Sequence, residues 1–157
     1  MNKIIICGPG GSGKDELKKR FIDKGFNPSI SYTTRPKRSK EIEDVDYHYT
    51  NDENFKHLIK TNQIFEYNIF NDWYYGTHID SFKLYDIFIM TPNTINNLPI
   101  NIRNKSIVFY LNIDENIRFK RLSSRNDSDD VQRRINADKE MFNNFSNYDI
   151  VITNPNF

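Results

Sequence analysis

The sequence predicts a three-layer α/β fold on a five-stranded parallel sheet. Three observations carry this: short runs of β-branched and aromatic residues recur along the 157 residues, helical patterns alternate with them, and several runs are apolar at consecutive positions, as in strands buried on both faces. The runs are residues 3–7 (KIIIC), 29–34 (SISYTT), 86–90 (DIFIM), 106–111 (SIVFYL) and 149–153 (DIVIT). A helix over 15–24 sets Leu17 and Phe21 on one face and stops at Gly25, a residue suited to the position after a helix. Helices over 114–125 and 129–145 open with acidic residues, which complement the helix N-terminus.

Residues 35–80 break that rhythm. DYHYT and IFEYNIF alternate as antiparallel strands do, Asn71-Asp72 makes a turn before WYYGT, and Thr50-x-x-Glu53 predicts a capping box for a short helix through Lys60. The organisation expected is one domain, with a core of about 1–34 and 81–157 and a small mixed α/β insert of about 35–80.

The formal charge is +1, from 22 basic and 21 acidic residues, which argues against coating a polyanion such as nucleic acid. Any anion site must be local. Cys7 is the lone cysteine, so neither a disulfide nor a cysteine-based zinc site can be built. No apolar run approaches the ~20 residues that span a bilayer, and the expectation is a cytoplasmic protein without a membrane role.

GPGGSGKD, residues 8–15, satisfies the phosphate-loop pattern through its lysine and then places Asp15 where a hydroxyl is usual. It follows a predicted strand and opens a predicted helix, the context in which backbone N–H groups curl round phosphate oxygens. Asp15 leaves three readings open. It is a Mg²⁺ or water-mediated ligand, it abolishes nucleotide affinity, or it merely favours the first helical turn. A second anion segment, SYTTRPKRSKE, supplies Arg35, Lys37 and Arg38 directly after a strand. Arginine forks suit a terminal monophosphate. Tyr47, Glu66, Tyr75 and Thr77 follow within the same small insert.

With these residues in view, the sequence resembles guanylate kinase over nearly its whole length. The matching blocks are GPGGSGKD, SYTTRPKRSKEIEDVDYHY, IFEYNIFNDWYYGT and RFKRLSSRNDSDDVQRRI. The resemblance implies a phosphate-loop NTPase-like fold with a helical lid over about 121–134, and transfer of the ATP γ-phosphate to GMP or dGMP with Mg²⁺ as companion ion. Gly8, Gly10, Gly11, Ser12, Gly13, Lys14 and Asp15 would bind ATP with Arg121 and Asn154, and Asp15 is the candidate metal ligand. Arg35, Arg38, Tyr47 and Tyr75 would hold the GMP phosphate, while Ser31, Glu66 and Thr77 would line guanine. Glu41, Gly76 and Asn93 complete the implied substrate set, and catalysis would fall to Lys14, Arg35, Arg125 and Arg134.

Departures accompany the resemblance. IMTPNTIN places Thr91 and Asn93 where the family carries two aspartates, which with Asp15 suggests a compensated exchange around the metal. The chain ends just after DIVITN, where the family continues into a terminal helix, a loss that would weaken stability or leave a surface for self-association, and the expected state is monomer or homodimer. Competing readings are a guanylate-kinase-like binding module without catalysis, and a kinase for another deoxy or modified-base monophosphate. Retention of Gly8, Gly13 and Lys14 favours an enzyme.

Overall fold

The computed structural model describes residues 2–125 and 130–157. In chain order the elements are β1 (Lys3–Cys7), α1 (Lys14–Ile22), β2 (Ser31–Thr33), β3 (Tyr47–Tyr49), α2 (Asp52–Lys60), β4 (Ile64–Phe70) and β5 (Trp73–His78). There follow α3 (Ser81–Leu84), β6 (Ile87–Ile89), α4 (Pro92–Asn96), α5 (Ile100–Arg103), β7 (Ser106–Leu111), α6 (Glu115–Ser123), α7 (Val131–Met141) and β8 (Ile150–Ile152). The chain divides into two compact units, Met1–Asn27 with Asp86–Phe157, and Pro28–Tyr85.

The first unit is a parallel sheet in the order β6-β1-β7-β8. Its central strand β1 is flanked on both sides and covered on both faces, so Ile4, Ile5, Ile6 and Cys7 are all buried. Ile4 and Ile6 pack with Leu17 and Phe21 of α1 and with Leu111 on one face. On the other, Tyr110 of β7 stacks on Phe142, just beyond α7, at 5.6 Å between ring centroids. Burial pushes the Cys7 thiol up to about 12, against the opposing pull of Lys14, so it is an inert core group.

Among the described residues the sheet has four parallel strands, not five. The run at 29–34 contributes β2 to the second unit instead. Its sequence alternates hydroxyl residues with Ile and Tyr, which is the pattern of a half-buried strand, and of its three residues only Thr33 is buried. That unit is a mixed sheet in the order β3-β2-β5-β4, with β2 parallel to β3 and antiparallel to β5. Asn71 and Asp72 take φ of 51° and 63° and join β4 to β5 as the predicted turn. Phe55 of α2 is fully buried, and a Cβ on Gly76 would lie 2.8 Å from its ring, so that glycine makes room for the helix.

Helix ends differ in detail from the sequence reading. Asn51, not the Thr50/Glu53 box, caps α2 by accepting from the Asn54 N–H at 2.8 Å. Asp114 and Asp130 cap α6 and α7, and α7 stops at Met141 rather than running to 145, with Asn144 beyond it at a left-handed φ of 56°. Gly25 takes φ 90° after α1, as a residue at that position should. Among the described residues no helix is long and apolar enough to cross a membrane.

Candidate functional site

The loop from Gly8 to Gly13 joins the buried end of β1 to the start of α1. A loop at the carboxyl end of a central parallel strand, where neighbouring strands continue the chain in opposite directions, is where open α/β sheets bind ligands. Gly13 is the cap residue of α1 with φ 99°, a conformation that costs a residue with a Cβ, and it leaves the helix N-terminus bare. Lys14 Nζ donates to the carbonyls of Gly8 and Pro9 at 2.6 and 3.1 Å, folding the ammonium back over the loop. Burial pushes the Lys14 pKa down, Asp138, Asp15 and Cys7 push it up, and Arg125 adds to the fall. Ser12 is buried with its hydroxyl unpartnered.

Asp15 does not turn into the loop. Its side chain is 81% exposed and lies 3.8 Å from Lys18. Thr91 caps α4 by accepting from the Thr94 N–H, while exposed Asn93 accepts from the Asn97 amide at 3.1 Å. Asn154 accepts from the Asn156 N–H in a tight turn.

Cations from α6 and α7 surround the loop. Arg121 donates to the Gly11 carbonyl at 3.1 Å and to the Pro155 carbonyl at 2.7 Å. Arg118, which sequence reasoning missed, is buried and bonds the carbonyls of Ile113 and Gly10. Its signal was its place one turn before Arg121 on the same helix face. Asp138 was missed as well: its Oδ2 accepts from the Gly10 N–H at 2.8 Å and lies 3.7 Å from Arg118. Arg134 reaches the same point, 3.7 Å from where a Gly10 Cβ would stand. A pocket of about 180 Å³ opens beside the loop, lined by Gly11, Gly13, Arg121, Arg125, Pro155 and Phe157 among others. The lid expected over 121–134 falls partly on residues 126–129, which lie outside the described residues.

The second unit holds its own polar cluster. Arg35 is 5% exposed, donates to Glu41 Oε1 at 2.6 Å, and lies over the Tyr47 ring at 5.4 Å. Glu41 also accepts from the Arg38 N–H and from the Tyr49 hydroxyl. Burial pushes the Glu41 carboxyl up, yet these three donors outweigh it and bring the group down to about 2. Tyr47 packs edge-on against Tyr75 at 6.0 Å. Burial raises the Tyr75 pKa, with the Arg35 and Arg38 cations opposing. On the adjoining strands Thr77 donates to Glu66 Oε1 at 2.7 Å. Ser31 lies on β2 in register with Tyr47. The structure thus brings Arg35, Glu41, Tyr47 and Tyr75 together, with Arg38 52% exposed at their rim and the Glu66–Thr77 pair on the same hairpin as Tyr75. Tyr49 is a third tyrosine of this cluster, which the sequence reading passed over, its signal being strand alternation with Tyr47.

A glycine loop and returning lysine at the end of a central parallel strand, ringed by arginines from later helices, define a phosphate-loop protein of the nucleotide-handling class. The comparisons narrow this. The family model for guanylate kinase matches residues 1–157, and the chain belongs to the guanylate kinase family. It is 31% identical over 165 residues to the guanylate kinase of Rickettsia prowazekii (strain Madrid E), covering 98% of this chain and 83% of that one. Similarity to the guanylate kinase of Sulfurimonas denitrificans is 31% over 164 residues, covering 98% and 80%. The crystal structure of guanylate kinase from Anaplasma phagocytophilum matches the fold with a TM-score of 0.72 at 17% identity, over 98% of this chain and 76% of that one.

Proposed function

We propose that the protein transfers the γ-phosphoryl group of ATP to GMP, giving GDP and ADP. The observation that carries this reading is the Glu66–Thr77 pair at 2.7 Å on the hairpin that also holds Tyr75. Glu66 would accept the N1–H and 2-amino donors of guanine, and Thr77 would orient it. Arg35, Arg38, Tyr47 and Tyr75 would take the GMP phosphate, with Glu41 keeping the buried Arg35 in place and partly neutralised. Ser31 lies on the neighbouring strand as a further base contact, and Gly76 supports the pocket floor through its packing on Phe55.

On the ATP side, Lys14 would exchange the Gly8 and Pro9 carbonyls for the β and γ phosphate oxygens, joined by the N–H groups from Gly10 to Lys14. The pocket bordered by Arg121, Pro155 and Phe157 would receive the adenine, with Asn154 beside it. Arg125 and Arg134 would neutralise the transferring group, and the acceptor phosphate oxygen itself attacks in line, so no nucleophilic side chain is needed. Mg²⁺ would offset charge on the phosphates, and Asp15, exposed beside Lys18 at the first turn of α1, would hold the ion only by turning from Lys18 toward the loop. Asn93, exposed on α4, would lie near substrate only as a neutral amide.

The test is ADP formation from ATP and Mg²⁺ with GMP, dGMP, AMP, UMP, CMP and dTMP as separate acceptors. Turnover with GMP or dGMP well above AMP is expected. Absence of turnover with every acceptor would overturn the kinase reading, and AMP equal to GMP would remove Glu66 from its role.

A further inference from the structure

The register of the β4–β5 hairpin sets three pairs in a row on one face: Glu66 opposite Thr77, Asn68 opposite Tyr75, and Phe70 opposite Trp73. Asn68 therefore stands opposite the tyrosine proposed to hold the GMP phosphate and next along the same face to the residues proposed to read guanine. Its amide is aimed at Glu66. Nδ2 donates to Oε2 at 3.2 Å while Thr77 Oγ1 holds Oε1 at 2.7 Å. Only this amide orientation works against a carboxylate, since the reversed one would set oxygen against oxygen. Asparagine is depleted in strands, and β4 is an edge strand whose neighbours Tyr67, Ile69 and Phe70 are exposed, so neither propensity nor core packing accounts for it.

We propose that Asn68 is a positioning residue for guanine selection, pinning Glu66 so that its carboxylate meets the N1–H and the 2-amino group together. The inference rests on the GMP reading above. Thr77 and Asn68 hold one oxygen each, which fixes the plane in which the carboxylate meets the base. The terminal torsion of a glutamate is broad, and removing Asn68 takes away one of the donors that fix this plane, so the carboxylate gains freedom to swing. A base that offers N1–H alone can follow that swing. One that offers two adjacent donors loses a contact. Asn68 thus sets how sharply the pocket separates a 2-amino-6-oxopurine from its counterpart lacking the amino group, and it acts on binding rather than on the phosphoryl step.

Trp73, the single tryptophan, sits one pair along the same face and gives a binding signal independent of turnover. Wild type, Asn68→Ala and the near-isosteric Asn68→Leu, which removes the donor, keeps the volume and adds no charge beside Glu66, are titrated with GMP and with IMP. KM and kcat for both acceptors are measured at saturating ATP, and thermal melts establish that each variant is folded. The expected result is that both variants weaken GMP by about tenfold and Asn68→Ala weakens IMP by less than about threefold, with kcat within about twofold. Equal weakening of GMP and IMP, or unchanged GMP binding, overturns the proposal. Should Asn68→Ala not fold, Asn68→Leu alone decides it, through loss or retention of the GMP-over-IMP preference. A wild type that neither binds nor phosphorylates GMP removes the guanylate reading itself, a result distinct from a GMP-selective wild type whose preference survives both substitutions.

Discussion

The carboxylate of Asp138, in α7, accepts a hydrogen bond from the backbone N–H of Gly10 in the phosphate loop at 2.8 Å. The loop is thus already in contact with an anion supplied by its own chain, and Arg118 stands 3.7 Å from the same oxygen. A carboxylate about 5 Å from an incoming phosphate charge costs about 3 kcal/mol at an effective dielectric of 20, part of which Arg118 offsets. Asp138→Asn keeps an acceptor for Gly10 and removes the charge. ATP binding without added magnesium should tighten by about tenfold, read by titration calorimetry. A loss of affinity would show instead that the charge is needed to hold the loop.

Arg35 and Glu41 form a close ion pair in the second unit, with side chains 5% and 16% exposed. Glu41 stands at about 2 against an ordinary 4.5, a difference equivalent to about 3 kcal/mol of stability. Because the folded value lies below the unfolded one, that stabilisation is complete above 4.5 and is lost as pH falls toward and through about 2. Calorimetric melts should show the wild type losing this increment across the window. Glu41→Gln should be less stable at neutral pH by about 2–3 kcal/mol and flatter across the same acid range. An acid profile identical to wild type would contradict the pairing.

What was legible follows from what is local. The loop between β1 and α1 is a continuous motif, so its position and the returning Lys14 could be read from spacing alone. Glu66 and Thr77 meet because a two-residue turn at Asn71-Asp72 fixes the register, and turn and alternation were both visible. The sheet to which β2 belongs was not legible, because three residues of β-forming sequence do not say whether their neighbours are parallel or antiparallel. The short helices α3, α4 and α5 span only four or five residues each and leave no periodicity to count. Asp138 reaches Gly10 across a separation of 128 residues, and nothing near either one announces the other. Asn68 looked like the polar half of a strand alternation, and only its amide direction distinguishes it.

Lys14 separates catalysis from stability. Burial disfavours its charged form, so the folded state carries a cost at neutral pH that is relieved as pH rises toward the ordinary 10.5. Lys14→Met removes a buried cation of the loop and fills similar volume. It should lower kcat/KM by about 10²–10³-fold while leaving the melting temperature unchanged or higher. A variant that loses activity only in step with stability would mean that the lysine holds the loop rather than the phosphates.

Asn71 and Asp72 both sit in the left-handed region, with φ of 51° and 63°, as a two-residue hairpin turn of this hand requires. Asparagine tolerates that region well and aspartate less so, at a cost of about 1 kcal/mol relative to glycine. Asp72→Gly removes that strain, while the greater freedom of glycine in the unfolded chain returns part of the gain. The net should be a stabilisation of about 0.5 kcal/mol, or a rise of roughly 1–2 °C in the melting temperature of a domain this size. The same change leaves the Glu66–Thr77 register intact, so the GMP-over-IMP preference should not move. A rise in melting temperature accompanied by lost preference would show that the turn, and not the side-chain pair, sets the geometry of the base site.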